Sequence, residues 1–463
     1  MIFLMNLKNM VMQYWISLGE SWRYAITVFV IARVLFGIWS WVVFSLQPVA
    51  LQNFELFGEP ILSIFVLKNS EMHLYLRQVN GEILTFRSAG NGGMIDQETG
   101  TIWNIADGRA MQGRYKDTTL AKPSQSGLPN IFPYQGTSPT HVSGLGLWQR
   151  FDANLYTAIA ENGYGNIPGD THFPPLFPLL IRLLQPVFGE AFLSGLFVSH
   201  LATLYMLKLL GDIFMGWGGP ETGKRAVLFF AIYPTFFFFF SAYSESVFLV
   251  CSLLALRNMN TRSWAWSGFW TFCSILTRLQ GAALMIPMIY LMLSDPPFLR
   301  KTAHWAGLVI AGFGGVFYLF LRSLEGTGSV FPSVESEWLA RLAVPGESFL
   351  YGIKAMLSGS SSFIDLLNFV TTTMFLSLII IGWKRIPLEY NLFAAMNLLI
   401  LSARVVETQP LNSMIRFSLT LFPAFYTLGI LGKQPWARRI IIYISLPLSL
   451  YLSGQFFLWG WVA

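Results

Sequence analysis

Charge is what this 463-residue chain has least of. Only 12% of its residues are Asp, Glu, Lys or Arg, 54% are hydrophobic, and mean hydropathy is +0.53. A soluble domain averages about a quarter charged, so an ordinary cytosolic enzyme is excluded, and so is a disordered chain. Cysteine is scarcer still. Cys251 and Cys273 both sit in apolar runs, so no disulfide framework serves the polar part of the chain. A phosphate-cradling Gly-rich loop, a dinucleotide fingerprint and zinc-ligand spacing are also missing. A cytoplasmic site for a soluble nucleotide ligand is therefore unsupported. The formal net charge of +6 is not a nucleic-acid signal, because the basic residues sort by membrane side; no nucleic-acid partner is expected.

Apolar runs are abundant, at close to the roughly 20 residues that span a bilayer. The first, Tyr24–Leu46, is too long for a signal-peptide core and ends without a small-residue cleavage site. Further runs lie at 191–211, 225–241, 244–258, 262–278, 280–294, 303–322, 363–382, 388–404, 414–431 and 440–460. The expected fold is an all-α polytopic membrane protein of about eleven transmembrane helices. Basic breaks at Lys224-Arg225, Arg257/Arg262, Arg300-Lys301, Lys384-Arg385 and Lys433/Arg438/Arg439 share one side with Lys8 and Arg23. By the positive-inside rule that side, with the N-terminus, is cytoplasmic. The opposite breaks carry acids, among them Glu245, Glu325, Glu335, Glu337, Glu347 and Glu407.

The alternation requires Phe173–Gly189, which holds Pro174, Pro175, Pro178, Pro186 and Arg182, to lie at the outer surface as a juxtamembrane helix. The loop 47–190 and the C-terminus are then external. Residues 1–52 are read as the N-terminus and first span, and 53–140 as an external β-rich insertion with linker. Residues 141–190 are read as an external loop with amphipathic and juxtamembrane helices, and 191–463 as the helical bundle. Within the insertion, β structure is expected over 61–122. Asn80-Gly81 is a hairpin signal between Met72–Val79 and Glu82–Phe86, and a second turn lies at Gln97–Gly100. Residues 123–146 read as linker. The stretch "MIDQETGTIWNIADGRAMQG" resembles part of a bacterial domain of unknown function, which implies no mechanism.

Scarce charges beside a membrane usually have a partner or a task. The densest external group is Trp148-Gln149-Arg150-Phe151-Asp152, followed by Tyr156, Glu161, Tyr164, Asp170 and His172. Apolar spacing predicts an amphipathic helix over 152–162, lying on the membrane with Asp152 at its start. A carboxylate there is stabilised as the anion and suits a general base for a sugar hydroxyl; it equally suits a helix cap. Five consecutive phenylalanines, Phe236–Phe240, face all sides of a helix and read as lipid-facing bulk. Arg33 lies about 14 Å along the first span, where a charge must face the bundle, a cavity or a carboxylate. Arg404 and Glu407 read as an ion pair at a helix end.

The segments "WQRFDANLYTAIAENGYG", "HFPPLFPLLIRLL", "FFFFFSAYSESVFL" and "TRLQGAAL", with "MIRFSLTLFPAF" further on, resemble in content and order the PIG-V-type (GPI mannosyltransferase 2-like) membrane mannosyltransferases. These belong to the GT-C glycosyltransferase class. Phe151 stands where that family usually has Trp before the acidic residue, and the insertion 53–140 is unusual for it. The resemblance implies a GT-C-like bundle that transfers mannose from a polyprenyl-phosphate donor to a glycolipid, glycan or protein acceptor at the external face. It places Glu245 at the mouth of the active site. The leaving lipid phosphate then calls for cations, and Arg278, Arg416 and Arg182 are the candidates; terminal arginines also snorkel to headgroups. His172 and Tyr164 are further substrate-binding candidates. No cofactor is implied, and a divalent metal on His172 stays open.

Two other classes compete: a flippase or transporter of lipid-linked sugars, and a scaffold using the β module for recognition. The expected location is the cell membrane in a prokaryote or the endoplasmic reticulum membrane in a eukaryote.

Overall fold

A computed structural model describes residues 17–46, 49–56, 59–66, 71–90, 92–123, 139–140, 144–166, 170–294, 302–323, 340–342, 344–359, 361–406, 411–460 and 462. Most of them are helical, with one β-rich region. Glu407 of the expected Arg404–Glu407 pair and most of the expected linker fall outside the described residues. The chain divides into two compact units. One holds the chain through Leu35 with Ile159–Leu450, and the other holds Phe36–Ala158 with Tyr451–Val462.

In the second unit, strands β1 (Val49–Leu56), β2 (Glu59–Val66) and β3 (Glu71–Leu76) form an antiparallel sheet in that order. Strands β4 (Gln78–Val79) and β5 (Glu82–Ile83) pair across Asn80-Gly81, whose φ values of 49° and 86° are those a type I′ turn requires. Strands β6 (Phe86–Gly90), β7 (Gly93–Asp96), β8 (Ile102–Asn104) and β9 (Ala110–Gln112) form a four-stranded antiparallel sheet. The Asn53 side chain joins the two larger sheets, accepting from the Phe86 N–H and donating to its carbonyl, both at 2.8 Å.

The core packs Leu62, Ile64, Tyr75, Leu84, Met94 and Trp103. Buried Asp96 is enclosed by neutral donors. Trp103 Nε1 donates to Oδ2 at 2.9 Å, and the Thr99 N–H and hydroxyl donate to Oδ1 at 2.6 and 2.7 Å. Burial raises the Asp96 pKa, but these donors outweigh it and the carboxyl ends below its ordinary value. The β structure begins at Val49, earlier than the expected residue 61. The strand Val49–Leu56 alternates too weakly to read alone and is fixed by pairing along β2.

The same unit contains Arg150, fully buried. Its Nε donates to the Phe457 carbonyl at 3.1 Å and its Nη1 to the Gly146 carbonyl at 2.7 Å, with the guanidinium 4.7 Å from the Trp459 ring. Burial pulls its pKa down to about 9. Phe151, packed on Phe456 and Trp459, adopts φ 49° just before helix Asp152–Asn162 begins.

Five helices are long and apolar enough to cross a membrane: α1 (Glu20–Leu46), Ala191–Ala231, the stretch His304–Ser323, Phe363–Gly382 and Pro435–Phe457. A sixth is counted if Met414–Thr420 and Pro423–Leu431, bent by 91°, form one span. The expected run 225–241 is divided between the helix Ala191–Ala231 and a turn at Phe236–Phe240, and the runs 244–258, 262–278, 280–294 and 388–404 hold shorter helices. In chain order after α1 come α2 (Asp152–Asn162), α3 (Leu176–Phe188), α4 (Ala191–Ala231), α5 (Glu245–Asn260), α6 (Trp264–Ile275), α7 (Met285–Leu293), α8 (Thr302–Ser323), α9 (Glu347–Leu357), α10 (Phe363–Gly382), α11 (Leu388–Ser402), α12 (Met414–Phe417), α13 (Pro423–Leu431) and α14 (Pro435–Phe457).

Local sequence explains the breaks. Helix α4 kinks at Gly218-Gly219, where Gly219 takes φ 77° and Pro220 withholds an N–H. Helix α10 starts on a reciprocal Ser362–Asp365 capping box. Two expectations are corrected. Phe236–Phe240 is a buried 3₁₀ turn and not lipid-facing bulk, because helix α4 ends at Ala231, ahead of Pro234. Helix α2 does not lie on a surface: Ala153–Thr157, Ile159 and Ala160 are buried, and only Glu161 and Asn162 are exposed. Helix α3 does have two faces, with Phe177 and Ile181 buried and Leu179, Leu183 and Val187 exposed.

Candidate functional site

Three interruptions in the helical unit meet. Ser241 ends the Phe-rich turn, and Ser244 caps the start of α5, which Glu245 opens. Arg278 stands in extended backbone (φ −156°, ψ 135°) between α6 and the 3₁₀ turn Leu279–Leu284. That turn folds back so tightly that any side chain at Gly281 would run into the Ser274–Ile275 backbone. Arg416 lies in α12, whose cap Ser413 is left-handed at φ 67°. The backbone beside Arg416 is pinned from two sides. The Ile415 N–H donates to Asn368 Oδ1 at 3.0 Å, and the Thr235 hydroxyl donates to the Ile415 carbonyl at 2.9 Å.

These breaks bring Arg278, Glu245 and Arg416 together. Glu245 is fully buried, and its Oε1 accepts from Arg416 Nε at 2.5 Å and from Arg278 Nη1 at 2.8 Å. Its Oε2 has no hydrogen-bond partner among the described residues. Arg278 Nη1 also donates to Ser244 Oγ at 3.3 Å. Aromatic rings line the cations. Arg416 lies 4.5 Å from the Tyr243 ring and 4.9 Å from Phe238, and Arg278 lies 5.0 Å from Phe417. The cluster thus sets two guanidinium groups against one carboxylate. Arg278 uses only Nη1 in hydrogen bonds among the described residues, and 12% of its side chain remains exposed. A partly desolvated guanidinium with donors in reserve is suited to an anion, above all to phosphate oxygens.

The other predicted residues are placed as follows. The Leu176 N–H donates to the Leu276 carbonyl at 2.9 Å, so α3 begins beside the break that carries Arg278. His172, half-buried, ends the 3₁₀ turn Asp170–His172 that leads into α3. Tyr164 donates its hydroxyl to the Phe173 carbonyl at 2.8 Å, and Asp170 Oδ2 accepts from the Gly165 and Asn166 N–H groups. Asp170 therefore holds the local loop together. Among the described residues, neither Tyr164 nor His172 hydrogen-bonds to Glu245 or Arg278. Arg182 is exposed on α3 between Leu179 and Leu183, outside the cluster. Asp152 begins α2, half-buried.

Arg33, whose partner the sequence did not name, donates from Nε to His200 Nε2 at 2.9 Å, while His200 Nδ1 contacts the Leu196 carbonyl at 2.6 Å. That arrangement suits a neutral imidazole beside a charged guanidinium. Among the described residues no group of three His, Cys, Asp or Glu side chains is placed to hold a metal. Ser244, Phe238 and Tyr243 belong to the cluster and escaped the sequence reading. Their only signal was aromatic density around the "SAYSES" segment. Compared with known proteins, the chain matches no family model and no curated protein.

Proposed function

We propose that this chain is an integral membrane glycosyltransferase of the GT-C class, resembling the PIG-V-type enzymes, that moves a hexose from a polyprenyl-phosphate donor to an acceptor. The resemblance makes the hexose mannose. The observation that carries the reading is the buried Arg278–Glu245–Arg416 cluster, two guanidinium groups on one carboxylate where three helix breaks meet. In the proposed reaction the bond from the sugar anomeric carbon to the lipid phosphate oxygen breaks, and that oxygen keeps the electron pair. A new bond forms from the anomeric carbon to the acceptor hydroxyl oxygen, and the hydroxyl proton passes to a carboxylate base, the role that the sequence alone suggests for Asp152. Arg278 and Arg416 stabilise the departing phosphate, whose charge makes a strong acid unnecessary. Glu245 aims the two cations. Catalysis at the external face and a bundle of about eleven spans belong to the same proposal, supported by the alternation of basic and acidic breaks along the sequence.

The test is hexose transfer from polyprenyl-phosphate mannose by full-length protein in vesicles. Asp152→Asn is expected to lower the rate by about 10²–10⁴-fold. An unchanged rate would remove Asp152 as the base. Movement of the lipid-linked sugar across the vesicle with no glycosyl product would favour a flippase instead.

A further inference from the structure

A recess of about 520 Å³ lies at the turn between α10 and α11, lined by Ile380, Ile381, Trp383, Lys384 and Arg385. All five residues are exposed, Ile380 at 64% and Ile381 at 53%. The recess has one apolar wall and one cationic edge. Its apolar wall continues along α10, a helix long and apolar enough to cross a membrane, on which Val370, Leu376 and Ile380 are bare. Its polar edge follows directly on the last residue of that helix, at headgroup level for a spanning segment, and Trp383 is the residue type that prefers that level.

The carbonyls that close the C-terminal end of α10 are occupied within the chain. The Gly382 carbonyl accepts from the Arg385 and Ile386 N–H groups at 2.8 and 3.1 Å, and Asn391 Nδ2 donates to the Trp383 and Ile386 carbonyls, both at 2.9 Å. Among the described residues the Lys384 and Arg385 side chains make no hydrogen bond or ion pair. Two uncompensated cations therefore face a concavity whose other wall is apolar.

We infer that this recess binds the head of an anionic phospholipid, with the phosphate on Lys384 and Arg385 and an acyl chain along Ile380 and Ile381. A free phosphate would satisfy the cations but leave the isoleucine wall wet. This inference does not depend on the proposed transferase activity.

The experiment titrates detergent-solubilised full-length protein with phosphatidylglycerol, phosphatidylcholine and inorganic phosphate, and reads the tightest binding step by native mass spectrometry. Phosphatidylglycerol is expected to bind tightest, with phosphatidylcholine weaker by about 30-fold, since each surface cation contributes about a fivefold factor. Lys384→Gln with Arg385→Gln is expected to remove that preference, and Arg385→Lys to keep it. Should the double variant fail to fold, Arg385→Gln alone is expected to weaken the step by about fivefold. Equal affinity for both lipids, full displacement by millimolar inorganic phosphate, or unchanged phosphatidylglycerol binding in the folded variants would overturn the inference.

Discussion

Two buried carboxylates, one in each unit, are stabilised in opposite ways. Asp96 is enclosed by an indole N–H, a hydroxyl and a backbone N–H, and both of its oxygens are used. No cation is needed, and none of these donors is left over. Glu245 is held by two guanidinium groups on one oxygen, while its second oxygen lies unpartnered among the described residues. Satisfied neutral networks fix a local structure and are complete without a ligand. The Glu245 cluster instead gathers two guanidinium groups on one oxygen and leaves donors of Arg278 in reserve, which is why it is proposed as the place where a ligand brings negative charge. The contrast therefore sets a carboxylate whose bonds are complete within the chain against one that belongs to the proposed binding site.

The largest expected effect that tests the contrast is on stability. Glu245→Ala leaves two guanidinium groups facing each other with little water, at a cost of about 3–5 kcal/mol. Thermal unfolding of the solubilised protein checks it. Glu245→Met combined with Arg278→Met and Arg416→Met is expected to recover most of the loss, because an apolar triad needs no compensation. If Glu245→Ala unfolds like wild type, the cluster is not the buried charge system described.

Next in size is Asp96→Asn, which weakens the bonds from Trp103 and Thr99 by about 1.5–3 kcal/mol. Hydrogen exchange of β7 and β8 reports it, and the proposed hexose transfer is expected to persist. A loss of activity with no change in exchange would reverse the two assignments.

Arg278→Lys keeps the charge but not the planar fork. It is expected to slow transfer by about tenfold, with little change in unfolding temperature.

The smallest effect is the pH response. The folded pKa of Asp96 lies below its unfolded value of about 3.9. Its contribution is therefore fully present above that value and is lost as pH falls through the lower folded pKa. Protection of the β module should decline below about pH 4 in wild type, and less steeply in Asp96→Asn.

Much of this was legible where the signal is local. Asn80-Gly81 and Gln97–Gly100 mark their turns because positive φ is confined to few residue types. Asp152 opens its helix, and Gly218-Gly219-Pro220 breaks one. What sequence reading missed depends on chain segments that meet from far apart. The phenylalanines at 236–240 were read as a helix facing lipid because apolar composition does not distinguish lipid from protein interior. Pro234 was the available sign that helix had ended. Glu245 and Arg416 lie 171 positions apart, and only the broken helices around them bring them into contact. The separate candidacies of Glu245, Arg278 and Arg416 were visible as scarce charges at run ends, whereas their single shared oxygen was not.

The central claim is that the Arg278–Glu245–Arg416 cluster is an anion site for a lipid-linked sugar phosphate. It is tested most directly by equilibrium binding of radiolabelled polyprenyl-phosphate mannose to solubilised wild type and to Arg278→Gln, at matched unfolding temperature. The account predicts that the variant binds the donor at least about tenfold more weakly, the loss expected for one charge-assisted contact to phosphate. Equal affinity of the two proteins would contradict it.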